Sequence, residues 1–186
     1  RAAETLAAAD FLAVEDTRVT VKLLNHLELR KPMVIYHRHN CAQAGPAIVA
    51  RLLAGESCAL VSDAGTPAIS DPGEDLVALC AAEGVPVVAV PGPCALVTAL
   101  SVSGLPTGRF TFEGFLPQNK KNRRAQLTAL QGEERTMIFY EAPHKLRDTL
   151  TDLEAAFGPG RRISLCRELT KLHEEVLRTT LGEAAA

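Results

Sequence analysis

Four short apolar runs limit what this chain can fold into: Phe11-Leu12-Ala13-Val14, Met33-Val34-Ile35-Tyr36, Cys58-Ala59-Leu60-Val61 and Val87-Val88-Ala89-Val90. Runs of this length, bounded by turn residues, suit buried strands rather than helices. Helical spacing separates them. Val19, Leu23, Leu24 and Leu27 share one helical face, residues 44–53 form a helix closed by Gly55, residues 74–83 one stopped by Gly84, and residues 94–102 another. Residues 1–8 read as the end of a further amphipathic helix. Strands alternating with helices imply right-handed crossovers and a mainly parallel sheet. Parallel strands point the same way. The polar or Gly/Pro segments that follow them, residues 15–18, 37–40, 62–67 and 91–93, are therefore expected to converge on one cleft.

The longest connection is Ser62-Asp63-Ala64-Gly65-Thr66-Pro67-Ala68-Ile69-Ser70-Asp71-Pro72-Gly73. Gly65 can take backbone angles closed to other residues, and Pro67 and Pro72 stiffen the path. Asp71 reads as a helix N-cap, Pro72 as the first helical residue, and Glu74 as the reciprocal member of a capping box. A loop built this way exposes its main-chain N–H and C=O groups where open α/β sheets bind ligands.

Charge narrows the ligand. Between Arg51 and Arg109 there is no Lys or Arg, yet Glu56, Asp63, Asp71, Glu74, Asp75 and Glu83 all fall there, so the centre is acidic and the flanks are basic. A phosphate-rich cofactor would want a cation or a free helix N-terminus beside its loop. A ligand without phosphate and carrying positive charge fits better. Five cysteines, at 41, 58, 80, 94 and 166, form no C-x-x-C pair, which argues against a disulfide framework and a zinc site. Cys58, Cys80 and Cys166 read as small core residues, and a reducing cytoplasm is the natural compartment. His37 and His39 flank Arg38 without Cys or a clear carboxylate partner, so they suit RNA phosphate or a subunit contact better than a metal. No apolar run approaches the roughly 20 residues that span a bilayer, and no signal-peptide pattern is visible.

Gly104-Leu105-Pro106-Thr107-Gly108 marks an expected boundary between an N-terminal α/β domain, residues 1–108, and a smaller mixed α/β domain, residues 109–186. In the second part, Phe110 to Leu116 alternates like a half-buried strand, residues 136–140 and 162–167 read as strands, and residues 143–157 as a helix. Lys120, Lys121, Arg123 and Arg124 crowd the start of another helix and read as phosphate contacts. Arg18 at a helix start is unfavourable against the helix dipole, so it needs a partner or an anionic substrate. Glu141, Glu168 and Lys171 follow strands and are expected to face the cleft.

SDAGTPAISDPG resembles the signature loop of the ribosomal RNA small-subunit methyltransferase I group, within the tetrapyrrole-methylase-like superfamily. Glu15-Asp16-Thr17-Arg18, Tyr140-Glu141-Ala142-Pro143-His144 and Glu168-Leu169-Thr170-Lys171-Leu172-His173-Glu174-Glu175 match the same group in order. The resemblance covers essentially the whole chain. It implies S-adenosylmethionine (SAM) held between two domains by Asp63, Gly65, Thr66, Pro67, Ile69, Pro91, Gly92 and Pro93. It also implies a homodimer that methylates the ribose 2′-hydroxyl of a cytidine in the decoding region of 16S rRNA, with no DNA or membrane partner. Members of the group begin with a strand and a Thr-Pro-Ile-Gly-Asn-Leu-type loop and continue past the point matching Ala186, so the chain reads as truncated at both ends.

A ribose hydroxyl is a poor nucleophile, and a base beside it helps. Glu168 is the expected base, with Lys171 an alternative if burial lowers its pKa. The absence of Trp leans toward ribose over a flipped base, and the 2′-hydroxyl separates RNA from DNA. Two other readings stay open on the residues: a related SAM enzyme acting on a small molecule or a protein, and a non-catalytic RNA-binding fragment.

Overall fold

The computed structural model describes all of residues 1–186. By contacts the chain divides into two compact units, Arg1–Cys94 and Ala95–Ala186.

The first unit contains α1 (Ala2–Ala8), β1 (Phe11–Val14), α2 (Thr17–His26), β2 (Met33–Ile35), α3 (Cys41–Leu53), β3 (Cys58–Val61) and α4 (Glu74–Ala82). The strands form a parallel sheet in the order β2-β1-β3. β1 is central, and all four of its residues are fully buried. Its alternation sends Phe11 and Ala13 into a core with Ile48, Val49, Leu76 and Cys80, from α3 and α4. Leu12 and Val14 pack on the other face with Leu6 and Leu24, from α1 and α2. A strand apolar at every position therefore has a core on both sides, as parallel sheets require. Arg51 lays its guanidinium 3.5 Å from the Phe11 ring centroid and pairs with Glu56 at the rim.

Two expected elements differ. The helix placed at 44–53 starts earlier, at Cys41, and runs through Pro46. The run Val87-Val88-Ala89-Val90 is not a strand: the sheet ends at β3, and no ladder partner pairs with it. Val87 and Val88 are correspondingly 55% and 72% exposed. β-branched residues fit a pleated surface only where a neighbouring strand provides one.

The second unit contains α5 (Ala95–Val102), β4 (Phe110–Phe115), α6 (Lys120–Ala129), β5 (Thr136–Tyr140), a 3₁₀ turn (Pro143–Lys145), α7 (Leu146–Phe157), β6 (Arg162–Arg167), β7 (Glu175–Thr180) and α8 (Leu181–Ala185). β4 and β5 pair in parallel, and β6 and β7 form an antiparallel hairpin, so this half is mixed α/β. Leu116, Leu127, Leu150, Leu153 and Leu181 make its core. Helix α5 belongs here, ahead of the Gly104–Gly108 segment, because the Leu96 N–H donates to the Tyr140 hydroxyl at 2.9 Å. Strand β7 and helix α8 were not anticipated, although Thr180 and Glu183 form the capping box that starts α8.

All five cysteines are free thiols. Burial pushes the Cys58 thiol up to about 11, which suits a packing role. No helix is long and apolar enough to cross a membrane.

The two-sided burial of β1 sets a stability expectation. Phe11→Ala should cost about 3–5 kcal/mol in urea unfolding, whereas Leu177→Ala on the second unit's surface, 44% exposed, should change the midpoint little.

Candidate active site

The carboxyl ends of β1, β2 and β3 share one edge of the first sheet. At the end of β1, Asp16 caps α2 by accepting the Arg18 N–H at 2.8 Å. The same carboxylate binds the Arg18 guanidinium through Nε at 3.0 Å and Nη2 at 2.6 Å. Hydrogen bonds donated by the Arg18 guanidinium and by its backbone N–H hold the Asp16 carboxyl down at about 2. The partner expected for Arg18 is thus in its own helix cap, while its side chain stays 88% exposed.

At the end of β2, Asn40 builds a tight turn: its Oδ1 accepts the His37 N–H at 2.8 Å and its Nδ2 donates to the Ile35 carbonyl at 2.9 Å. That turn presents Arg38, whose guanidinium donates to the Ser70 carbonyl in the long loop after β3. Ala68 and Ser70 both adopt left-handed backbone, at φ 66° and 64°. Non-glycine residues enter that region at a cost, so the loop needs external ties. Arg38 is one. The other is the Thr66 hydroxyl, which donates to the Pro93 carbonyl at 2.9 Å.

This second tie joins the two segments expected to hold the cofactor. Asp63, Gly65, Pro91, Gly92 and Pro93 are exposed, Thr66 and Pro67 half-buried, and Ile69 is 39% exposed. Gly65 has φ +77°. The capping box expected at Asp71 does not form. The N-cap of α4 is Gly73, with no side-chain cap bond, and Pro72 lies outside the helix. Gly73 at φ 147° breaks the helical path between Pro72 and Glu74, so Asp71 does not cap α4. Glu74 and Asp75 in the first turn still oppose an anion at this helix start.

Three carboxylates gather around the loop. Burial, then the charges of Asp71 and Asp63, raise the Glu15 carboxyl above its ordinary value. Burial likewise raises Asp71, against the pull of Ser62 and Arg38. No three acids, cysteines or histidines come close enough to hold a metal ion. The crowded carboxylates make the local field negative, which favours positive charge in a ligand. Behind the loop, Tyr36, Arg38, Asp71, Gly73, Glu74 and Asp75 line a cavity of about 320 Å³. Sequence reasoning grouped residues 37–40 but passed over Tyr36 as the end of a strand, and nothing in the sequence signals the Arg38–Ser70 contact.

In the second unit the basic run divides. Lys120, Lys121 and Arg124 are exposed, but Arg123 is 8% exposed and turns inward. Its Nη2 donates to the Thr149 hydroxyl at 2.5 Å, and that hydroxyl donates to Glu141 Oε2 at 2.5 Å. Its Nε lies 2.8 Å from Asp152 Oδ2, an ion pair without the alignment of a hydrogen bond. Arg123 is thus unavailable to RNA phosphate: it lies one helical turn before Leu127, on the face of α6 that is buried. Glu141 is equally committed to this network. Glu168 sits at φ 51° just past β6, with Lys171 Nζ 3.2 Å from its Oε1. Lys171 is 67% exposed, so the burial that a basic role for it required is absent.

Two outcomes follow from these environments. Arg123→Ala should destabilise the fold by about 3–5 kcal/mol by stranding Glu141, while a Lys120/Lys121/Arg124→Ala variant stays within about 0.5 kcal/mol of the parent; urea unfolding separates them. Glu15→Gln should stabilise the chain at neutral pH. A carboxyl with a raised folded pKa binds more protons folded than unfolded, so its ionisation lowers stability as pH rises from the ordinary 4.5 through the folded value. The variant's gain should therefore shrink as pH falls through that window.

Comparisons with known proteins agree with this architecture. The sequence is 52% identical over 184 residues to the ribosomal RNA small subunit methyltransferase I of Halalkalibacterium halodurans, covering 99% of this chain and 63% of that protein. It is 50% identical to the Synechocystis protein of the same name, covering 100% of this chain and 67% of that one. The chain thus spans about two thirds of the length of these curated relatives. Among solved structures, the methyltransferase CobJ superposes with a TM-score of 0.64 at 20% identity, over 96% of this chain and 78% of that one. A uroporphyrin-III C-methyl transferase from Thermus thermophilus, complexed with S-adenyl homocysteine, gives 0.61 at 18% identity, over 100% and 84%. The family model of the Tetrapyrrole (Corrin/Porphyrin) Methylases matches residues 1–185, and the chain belongs to that family.

Proposed function

We propose that this chain is the core of a SAM-dependent methyltransferase that modifies the ribose 2′-hydroxyl of a cytidine in 16S rRNA. The observation that carries the reading is the 52% identity to a small-subunit rRNA methyltransferase, sustained over 99% of the chain. The site's chemistry supports the cofactor. The loop leaves its main chain open at Asp63, Ala64 and Gly65, Thr66 ties it to Pro93, and Glu15, Asp63 and Asp71 set a negative field. That combination suits a ligand bearing sulfonium and ammonium groups and disfavours a polyphosphate.

In this reading Asp63, Gly65, Thr66, Pro67, Ile69, Pro91, Gly92 and Pro93 hold the cofactor. When bound, SAM supplies an electrophilic methyl group on a positively charged sulfur. The protein's own work is to orient the ribose and take the hydroxyl proton. Glu168 takes that proton, with the Lys171 ammonium 3.2 Å from its Oε1. Arg18, Lys120, Lys121 and Arg124 hold RNA phosphates. Their exposed side chains suit screened, sequence-independent contacts. The working form is a homodimer in the cytoplasm.

Methylation of a 2′-hydroxyl removes the internal nucleophile through which alkali cleaves RNA. Small-subunit RNA incubated with the protein and methyl-labelled SAM should therefore yield one labelled, alkali-resistant dinucleotide. Gly65→Val, strained at φ +77°, should abolish the label. Label recovered on a mononucleotide base, or no transfer to this RNA, would overturn the reading.

A further inference from the structure

The carboxyl ends of β4 and β5 form a shared edge of their own, because Phe115 pairs with Tyr140 at the last position of the parallel ladder. An extra residue at Glu113, with Gly114 turned at φ 62°, puts Phe112 and Phe115 on the same face as Tyr140. Both phenylalanine rings meet the tyrosine ring edge to face. The tyrosine is fixed in turn, since its hydroxyl accepts the Leu96 N–H. Phe112 and Tyr140 are half-buried, but Phe115 is 55% exposed. The bulge thus aims a braced aromatic ring away from the leucine core and forgoes the burial that would stabilise it.

Helix α6 starts at the same edge, five residues after Phe115. Arg123 pins its first turn there: the guanidinium reaches the Thr149 hydroxyl at 2.5 Å and lies 4.0 Å from Glu141, the residue that follows Tyr140. Lys120 and Lys121 fall within one turn before Arg123, and with Arg124 they are exposed. Between Glu113 and Glu133 the sequence has no acid to balance them. Glu141 and Asp152 are already taken up by Arg123 and Thr149.

An open ring beside three cations narrows the occupant. Lysines are depleted in protein contacts, whereas a single-stranded nucleic acid supplies phosphates for the cations and a π-face for the ring. A duplex keeps its bases stacked on one another and would use the cations alone. We propose that Phe115 is a stacking platform for one unpaired base of the RNA, with Lys120, Lys121 and Arg124 on the phosphates beside it. The proposal rests on the RNA-methyltransferase reading above and deepens it by naming how the substrate strand is held. Stacking tolerates any base, so the platform selects single-stranded RNA over duplex rather than one base over another.

The chain has no Trp, so Phe115→Trp places a single fluorescent reporter on the platform. The probes are a single-stranded RNA of about ten nucleotides and the same RNA annealed to its complement. Fluorescein-labelled copies report affinity by anisotropy, unlabelled copies serve for Trp fluorescence, and urea unfolding checks each variant. The single strand should quench the Trp, and the duplex should not. Phe115→Ala should weaken the single strand about tenfold without changing the salt slope; Phe115→Tyr should keep the parent affinity and Phe115→Leu should not. A Lys120/Lys121/Arg124→Ala variant should weaken both probes and flatten the salt slope. Unquenched Trp while RNA binds, parent affinity in Phe115→Ala or Phe115→Leu, or no binding of the single strand would overturn the platform. Unchanged RNA affinity with a lower sedimenting mass in Phe115→Ala would overturn it too, and give the ring to a protein contact. The methyl-transfer assay separates the two readings. Transfer to small-subunit RNA with an unquenched Trp would sink the platform alone. A quenched Trp without transfer would sink the rRNA reading and leave the platform standing.

Discussion

The burial of β1 on both faces is the constraint on which the first unit depends. A strand flanked by two cores cannot slip by one residue without exchanging Phe11 and Ala13 for Leu12 and Val14 between them. With β1 pinned, β2 and β3 align in parallel on either side, and their carboxyl ends are delivered to one edge. The position of Glu15, Arg38 and Asp63 is therefore a consequence of packing far from them. The site is built at the margin of a core rather than within it.

The edge itself is held under tension. The loop after β3 carries two left-handed non-glycine residues and brings Asp71 and Asp63 near Glu15. None of this favours the folded chain on its own. Arg38 and Thr66 restrain the loop from two sides, through carbonyls of Ser70 and Pro93. Backbone strain and crowded carboxylates are features that persist where surrounding structure over-determines them, and they concentrate at functional sites.

How much of this could be read in advance depended on the range of the interactions. The α/β alternation, the buried strand β1, the half-buried strand β3 and the shared edge follow from local periodicity, so the sequence carries them. The loop's importance was visible in its length and its Gly/Pro content. The Asp71 capping box failed because capping depends on where the helix starts, and Gly73 moved that start by two residues beyond Asp71. The run at 87–90 has strand composition without a strand's partner, and partners are non-local. Arg123 is the clearest lesson in the second unit. A dense run of cations reads as one surface, but a helix turns, and one of the four faced Glu141 and Thr149 instead of solvent. Tyr36 escaped notice because an aromatic residue at a strand end is ordinary until the structure shows it buried beside the loop's cavity.

The pairing of β4 with β5 contains one irregularity with a wider meaning. Phe112 pairs with Ile138 and Gly114 with Phe139, so Glu113 is an extra residue in the ladder, and Gly114 turns at φ 62°. In an uninterrupted strand, residues three apart face opposite ways. Here Phe112 and Phe115 both meet the Tyr140 ring edge to face, at 4.9 and 5.6 Å. The extra residue also resets the parity that carries Leu116 into its core. The bulge is what keeps both rings on one side. Were Glu113 paired in register with every residue kept, Phe115 would turn from Tyr140, whereas deleting Glu113 would leave Phe112 and Phe115 two residues apart and still on the same face.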